Sequence, residues 1–186
     1  KTKQNNFMDI KVAVLVDASF FLKRLNFFKR RYFPSEPELT PKQVVQVLNC
    51  CIKRHLNDGN SSIYQHLYRV FYYDSPPLNI KVHYPLVNSG ETNPRVLDFS
   101  KQPETIHRNE IITEVKKQRK FALRLGTIKH DKQWKLTDVA LNNLLKGIRK
   151  FEDLTNDDFY YSMRQKGVDI KLGVDITSIA QERLVD

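Results

Sequence analysis

The chain has 186 residues, the size of one domain, and its 40% apolar and 28% charged content is ordinary for a globular protein, which excludes wholesale disorder. Lys and Arg outnumber Asp and Glu by 31 to 21, giving a net charge of +10 and a pI near 9.6. That excess favours a polyanionic partner, because basic side chains placed at phosphates release condensed counterions. The two cysteines, Cys50 and Cys51, are adjacent in a helical-looking run, which argues against a structural disulfide and fits a reducing cytoplasm. No stretch approaches the ~20 apolar residues of a membrane span.

Residues 1–10 read as a polar lead-in to a domain covering 11–186. Lys11–Val16 is a continuous β-branched run, the pattern of a strand covered on both faces in a parallel sheet, and it stops at Asp17. Ser19 is expected to cap the helix that follows. There Phe20, Phe21, Leu25 and Phe28 give an apolar face above Lys23, Arg24, Lys29, Arg30 and Arg31, and Phe20, Phe21, Phe27 and Phe28 read as core. Thr40-Pro41-Lys42-Gln43 opens a second helix: a Thr cap, Pro at the first position and Gln closing a capping box. Val44, Val45, Leu48, Ile52 and Leu56 then keep helical spacing until Asp58-Gly59. A strand over Leu67–Tyr73 ends at Asp74 and completes a βαβ unit.

Residues 75–104, punctuated by Pro76, Pro77, Pro85, Pro94 and Pro103, read as a long irregular insertion. Beyond it the sequence predicts a charged helix over Thr105–Lys120, a strand over Phe121–Ile128, and a helix over Asp138–Lys146 capped by Thr137. A further helix is expected from Thr155-Asn156-Asp157-Asp158 to Lys166, with Gly167 as its stop. Val168–Val174 reads as a short alternating strand ending at Asp175, and Ile176–Leu184 as a last helix.

In an open parallel sheet, ligands collect outside the carboxyl ends of the strands. Asp17, Asp74 and Asp175 each follow an expected strand, so neighbouring strands would bring three carboxylates to one crevice. Hard oxygen donors with room for water suit Mg²⁺ or Mn²⁺, which polarise phosphodiesters and lower the pKa of a bound water. Aspartate at a strand end is also a turn former and a helix cap, and both readings stand at this level.

LVDASFFLKR at Leu15–Arg24, FYYDSPP at Phe71–Pro77, LRLG at Leu123–Gly126 and QKGVDIKLGVDI at Gln165–Ile176 together resemble the NYN (LabA-like) family of PIN-like domains over nearly the whole chain. The resemblance implies a three-layer α/β sandwich with a mostly parallel central sheet, lacking its last strand in this chain. It further implies an acidic Mg²⁺ or Mn²⁺ pocket that cleaves RNA, or a non-catalytic RNA-binding or protein-interaction module on the same fold. By matched position, Asp17 and Asp175 are the catalytic metal-binding aspartates and Asp74 is a rim aspartate. Ser19 would position a metal-bound water, and Asp169 would support the turn. Two departures stand out. Phe20 occupies a position where many members carry Asn, and the family pattern runs past Val185-Asp186 into a further strand and an acidic motif.

Arg69, Lys166, Lys171 and Trp134 are candidate RNA contacts, as are Arg30, Arg31, Lys116, Lys117, Arg119, Lys120 and Arg124 along a phosphate track. The five histidines show no metal-ligand spacing. No P-loop, GxGxxG or nucleophile elbow is present, and Ser19 stands where a DxD phosphatase needs its second aspartate. RNA is thus the expected partner, with no membrane and a homodimer left open.

Overall fold

The computed structural model describes residues 8–56 and 63–186; the expected helix stop at Asp58-Gly59 and most of the polar lead-in lie outside the described residues. The chain divides into two compact units, the first comprising residues 1–76, 107–127 and 166–186, the second 77–106 and 128–165.

The first unit is a mixed α/β body around a three-stranded parallel sheet. Its strands are β1 (Met8–Asp17), β2 (Ile63–Asp74) and β5 (Phe121–Leu125), in the order β1-β2-β5. The β-branched and aromatic runs read from the sequence form these strands because both faces of the sheet are covered. On one face Val14, Val16, Val70 and Tyr72 pack against α1 (Ala18–Tyr32), α2 (Pro41–Leu56) and α3 (Pro103–Lys116) through Leu22, Leu48, Ile52, Ile111 and Val115. On the other, Ala13, Leu15, Phe71, Tyr73 and Ala122 pack against Val168, Leu172 and Ile179 of α5 (Val168–Gln181). Helices on both faces of a parallel sheet make an α/β fold of three layers. At the end of the chain, Asp186 N donates to Lys11 O at 3.1 Å, and Asp186 Oδ2 accepts from Lys11 N at 2.7 Å.

Several elements differ from expectation. Thr40 and Gln43 form the capping box of α2 as the spacing predicts. The cap of α1, however, is Asp17 rather than Ser19: its Oδ1 accepts from Phe20 N at 3.0 Å, and its φ of −72° and ψ of 107° keep it extended. The expected strand Val168–Val174 is instead the first half of α5. Gly167, at a φ of 79°, turns the chain into that helix instead of ending the one before it. The expected helix ending at Lys166 is a strand, β7 (Phe159–Lys166), whose aromatic residues favour extended backbone. The helix-start signature Thr155–Asp158 closes only a single turn, with Asp158 Oδ2 taking both Thr155 N and Oγ1.

In the second unit, the stretch read as an irregular insertion carries β3 (Lys81–His83) and β4 (Val96–Asp98), paired antiparallel. A second two-stranded sheet joins β6 (Thr127–Leu136) to β7, and α4 (Asp138–Leu145) is capped by Thr137 as expected. Tyr161 is buried here among Phe99, His130 and Trp134, and Trp134 Nε1 donates to His83 O at 2.8 Å. The described residues contain no helix long and apolar enough to cross a membrane.

Candidate carboxylate site at the carboxyl edge of the sheet

The three parallel strands end together, and their register decides which side chains share a face. Asp17 pairs with Tyr73, and Tyr73 with Arg124, so these three residues form one row across β1, β2 and β5. In-register residues of parallel strands project to the same side. Ala13, Leu15, Phe71 and Ala122, at alternate positions of the same strands, pack on α5, so Tyr73 and Arg124 belong to the α5 face, whereas Asp17, at the strand end, turns its carboxylate to the first turn of α1 and acts through its charge on Tyr72. Tyr72 and Asp74 take the opposite face.

Asp175 comes to the row from α5, and it does so from inside a helix. Its Oδ2 accepts from Tyr73 Oη at 2.8 Å and from Arg124 Nε at 2.7 Å. Arg124 in turn lies over the Phe71 ring at 5.1 Å. Partial burial pushes the Asp175 carboxyl up, but the bonds from Arg124 and Tyr73 outweigh it and hold the group below the usual carboxylate range. Burial and the bond to Asp175 together push the Tyr73 phenol well above its ordinary value. One turn earlier on α5, Lys171 Nζ donates to Leu125 O at the end of β5 and adds a positive charge near Asp175.

Asp74 sits differently. It is fully buried, and Arg108 of α3 takes both of its oxygens, Nε to Oδ2 at 3.0 Å and Nη2 to Oδ1. Ser75 N also donates to Oδ1 at 2.7 Å, and Arg108 Nη2 reaches Ser19 Oγ at 3.4 Å. A buried carboxylate held by a guanidinium fork has no reason to bind a metal, because its charge and lone pairs are already engaged. Asp74 therefore organises the α3 face and does not join Asp175. Beside it, the buried Tyr72 hydroxyl has no hydrogen-bond partner among the described residues, and burial followed by the charges of Asp74 and Asp17 pushes its pKa far up.

The other expected residues are scattered. Asp169 is exposed in the first turn of α5, where a negative charge complements the helix N-terminus. Arg69 is exposed on β2 with its guanidinium over the Tyr68 ring at 6.0 Å, and Lys166 is exposed at the end of β7. Trp134 belongs to the second unit, stacked on Tyr84 with ring centroids 5.5 Å apart.

The two remaining carboxylates offer a hard divalent cation only a limited set of donors. Asp17 is exposed and commits Oδ1 to its cap, and Asp175 commits only Oδ2. Each carboxylate keeps its other oxygen, and Mg²⁺ commonly takes one or two carboxylates while water and substrate phosphate fill the remaining positions. No group of three His, Cys, Asp or Glu side chains that could hold a metal exists among the described residues.

Sequence reasoning missed Arg108, Tyr73 and Arg124 as partners of the aspartates. A buried aspartate must have a counter-ion, but Arg108 lies 34 residues from Asp74 in an evenly charged helix. The chain matches no family model, and neither the curated proteins nor the solved structures contain a match to it.

Proposed function

We propose that the carboxyl edge of the first unit hydrolyses RNA phosphodiester bonds with Mg²⁺ or Mn²⁺, on a PIN-like fold of the NYN kind. The observation that carries this reading is that Asp17 and Asp175, 158 positions apart in sequence, share Tyr73 as a neighbour, one through strand register and the other through a hydrogen bond. Charge supports it. The first unit holds 21 basic and 12 acidic residues, the second 10 and 9, so the attraction for a polyanion resides in the unit with the aspartates.

Asp17 and Asp175 would hold the ion, which when bound supplies Lewis-acid polarisation of the phosphate and a water of lowered pKa. Tyr73 and Arg124 fix the Asp175 carboxylate so that its Oδ1 stays free to bind. Lys171 and Arg69 would take phosphates flanking the scissile bond. The test is cleavage of a labelled single-stranded RNA by the whole chain with Mn²⁺. Product should form with Mn²⁺ and vanish in EDTA and in Asp17→Asn; product that persists in both rejects the site.

One observation favours a second reading. Arginines occupy both Asp74 and Asp175, as in a scaffold whose carboxylates only hold it together. A non-catalytic RNA-binding module of this kind gives salt-sensitive RNA binding, indifferent to EDTA, with no product at any metal concentration.

A further inference from the structure

α1 carries more aromatic surface than the core can accept. Ala18, Phe21, Leu22 and Leu25 pack into the first core, which corrects part of the sequence reading. Phe20 is 65% exposed, Phe27 46%, Phe28 43% and Tyr32 59%. At about 100° per residue, Phe20, Arg24, Phe27 and Arg31 fall on one outward stripe, ring and guanidinium in turn. Lys23 and Arg30 lie along one flank of the stripe, Phe28 and Tyr32 along the other.

The stripe is organised by its own contacts. Arg24 lies over the rings of Phe27 and Phe28 at 5.1 and 4.9 Å, and Arg31 over those of Phe27 and Tyr32 at 6.0 and 5.8 Å. α1 contains no acidic residue. Lys29 is paired with Glu38 at 3.0 Å, whereas Lys23, Arg24, Arg30 and Arg31 have no carboxylate partner among the described residues. Lys23, Asn26, Phe27, Arg30 and Arg31 line a shallow groove of about 530 Å³. Exposed rings in such number mark a contact surface, and four cations without a carboxylate among them favour a partner that is both anionic and aromatic.

We infer that this stripe is the track for single-stranded RNA, with bases stacking on Phe20 and Phe27 and the cations holding the phosphates between. The inference rests on the RNA-handling reading above and adds where the strand lies. The track opens at the candidate site, because Phe20 N is the donor that Asp17 Oδ1 accepts. An anionic membrane fits less well. An interfacial helix separates an apolar face from a basic one, whereas here rings and guanidiniums alternate along one stripe and the aliphatic residues are already in the core.

The test is fluorescence anisotropy of a labelled short oligouridylate with the whole chain in EDTA, so that binding is read without cleavage. Phe20→Ala/Phe27→Ala should weaken binding at least tenfold, since stacking contributes ~1–3 kcal/mol per base and 1.4 kcal/mol is tenfold. Arg24→Gln/Arg31→Gln should flatten the dependence of log K on log salt by about 1.4, near 0.7 per phosphate contact. All four positions are solvent-facing, and an unchanged thermal melt confirms that each variant is folded. Loss of binding in these variants supports the track whether or not the wild type cleaves RNA. Wild-type RNA binding that the aromatic variant leaves intact overturns the track and leaves the hydrolysis reading standing. Wild-type capture by phosphatidylserine vesicles, with no RNA binding, overturns it in favour of a membrane surface.

Discussion

Tyr73 Oη donates to Asp175 Oδ2 across 2.8 Å, joining the middle strand of the sheet to a helix 102 residues later in the chain. Arg124, the register partner of Tyr73 on β5, donates to the same oxygen. Two donors on one oxygen fix the orientation of the carboxylate while leaving the other oxygen free. Tyr73 is wholly buried, so the arrangement is anchored in the core and does not depend on a mobile surface side chain.

Tyr73→Phe should therefore change Asp175 more than it changes the fold. The Asp175 pKa lies below its ordinary value, so the group's contribution to stability is present above the unfolded carboxylate pKa of about 3.9 and fades as pH falls through the folded value. Removing one of the two donors raises that folded value, and acid unfolding begins at a higher pH. At neutral pH the loss should be about 1.5–3 kcal/mol, the range for a hydrogen bond to a charged group. A carbon-detected NMR titration of the Asp175 carboxyl checks the shift, and an unmoved titration would show that Arg124 alone sets it.

Arg108→Ala should be among the most damaging single changes in the first unit. It strands the fully buried Asp74 carboxylate without its counter-ion, an effect of roughly 3–5 kcal/mol. Asp74→Ala/Arg108→Ala should recover much of that loss, because most of it comes from the unpaired charge and not from a missing attraction. Urea unfolding of the two single variants and the double variant closes the cycle; additive losses would contradict the pairing.

The sequence was most legible where local chemistry and burial agree. The β-branched run before Asp17, the aromatic run before Asp74 and the Thr40 and Thr137 caps all specify their elements from within a few residues. Val168–Val174 misled because its apolar residues alternate. The positions that bury are Val168, Leu172 and Ile179, at helical spacing, while Ile170 and Val174 stay 72% and 58% exposed. The phenylalanines of α1 misled in the opposite sense: one helix face accepts only Ala18, Phe21, Leu22 and Leu25, and the rest face water. The neighbours of the aspartates were less legible. Strand register brings Asp17 to Tyr73, but the separate pairing of Asp74 with Arg108 depends on which face of β2 each residue takes. Alternation fixes that face only once the strand boundaries and covering helices are known.

Adjacent tyrosines should answer oppositely to the same substitution. The Tyr72 hydroxyl is buried without a partner among the described residues, whereas that of Tyr73 is bonded. Tyr72→Phe removes a polar group that lost its water and gained nothing in return, so stability should stay level or rise by up to about 1 kcal/mol. Thermal unfolding of the two variants side by side gives the contrast. A clear loss for Tyr72→Phe would mean that its hydroxyl has a partner in solution.

Two glycines separate space from propensity. At Gly126, the residue after β5, an added Cβ would lie 2.5 Å from Lys166 O, 2.6 Å from Val168 Cγ2 and 2.9 Å from Ser75 Oγ. The first contact is backbone and cannot swing aside, so Gly126→Ala must push the start of α5 away from the strand ends, costing about 1–3 kcal/mol. Because Asp175 rides on that helix, the displacement should also loosen its bonds to Tyr73 and Arg124 and raise its pKa. Gly173, within α5, has nothing within 4 Å of the same added atom. Gly173→Ala should instead stabilise the helix by roughly 0.5–1 kcal/mol, through the backbone entropy that glycine loses on folding. Melting temperatures that fall for Gly126→Ala and rise for Gly173→Ala would tie the geometry of the Asp175 site to the close approach at Gly126. Equal shifts in one direction would break that connection.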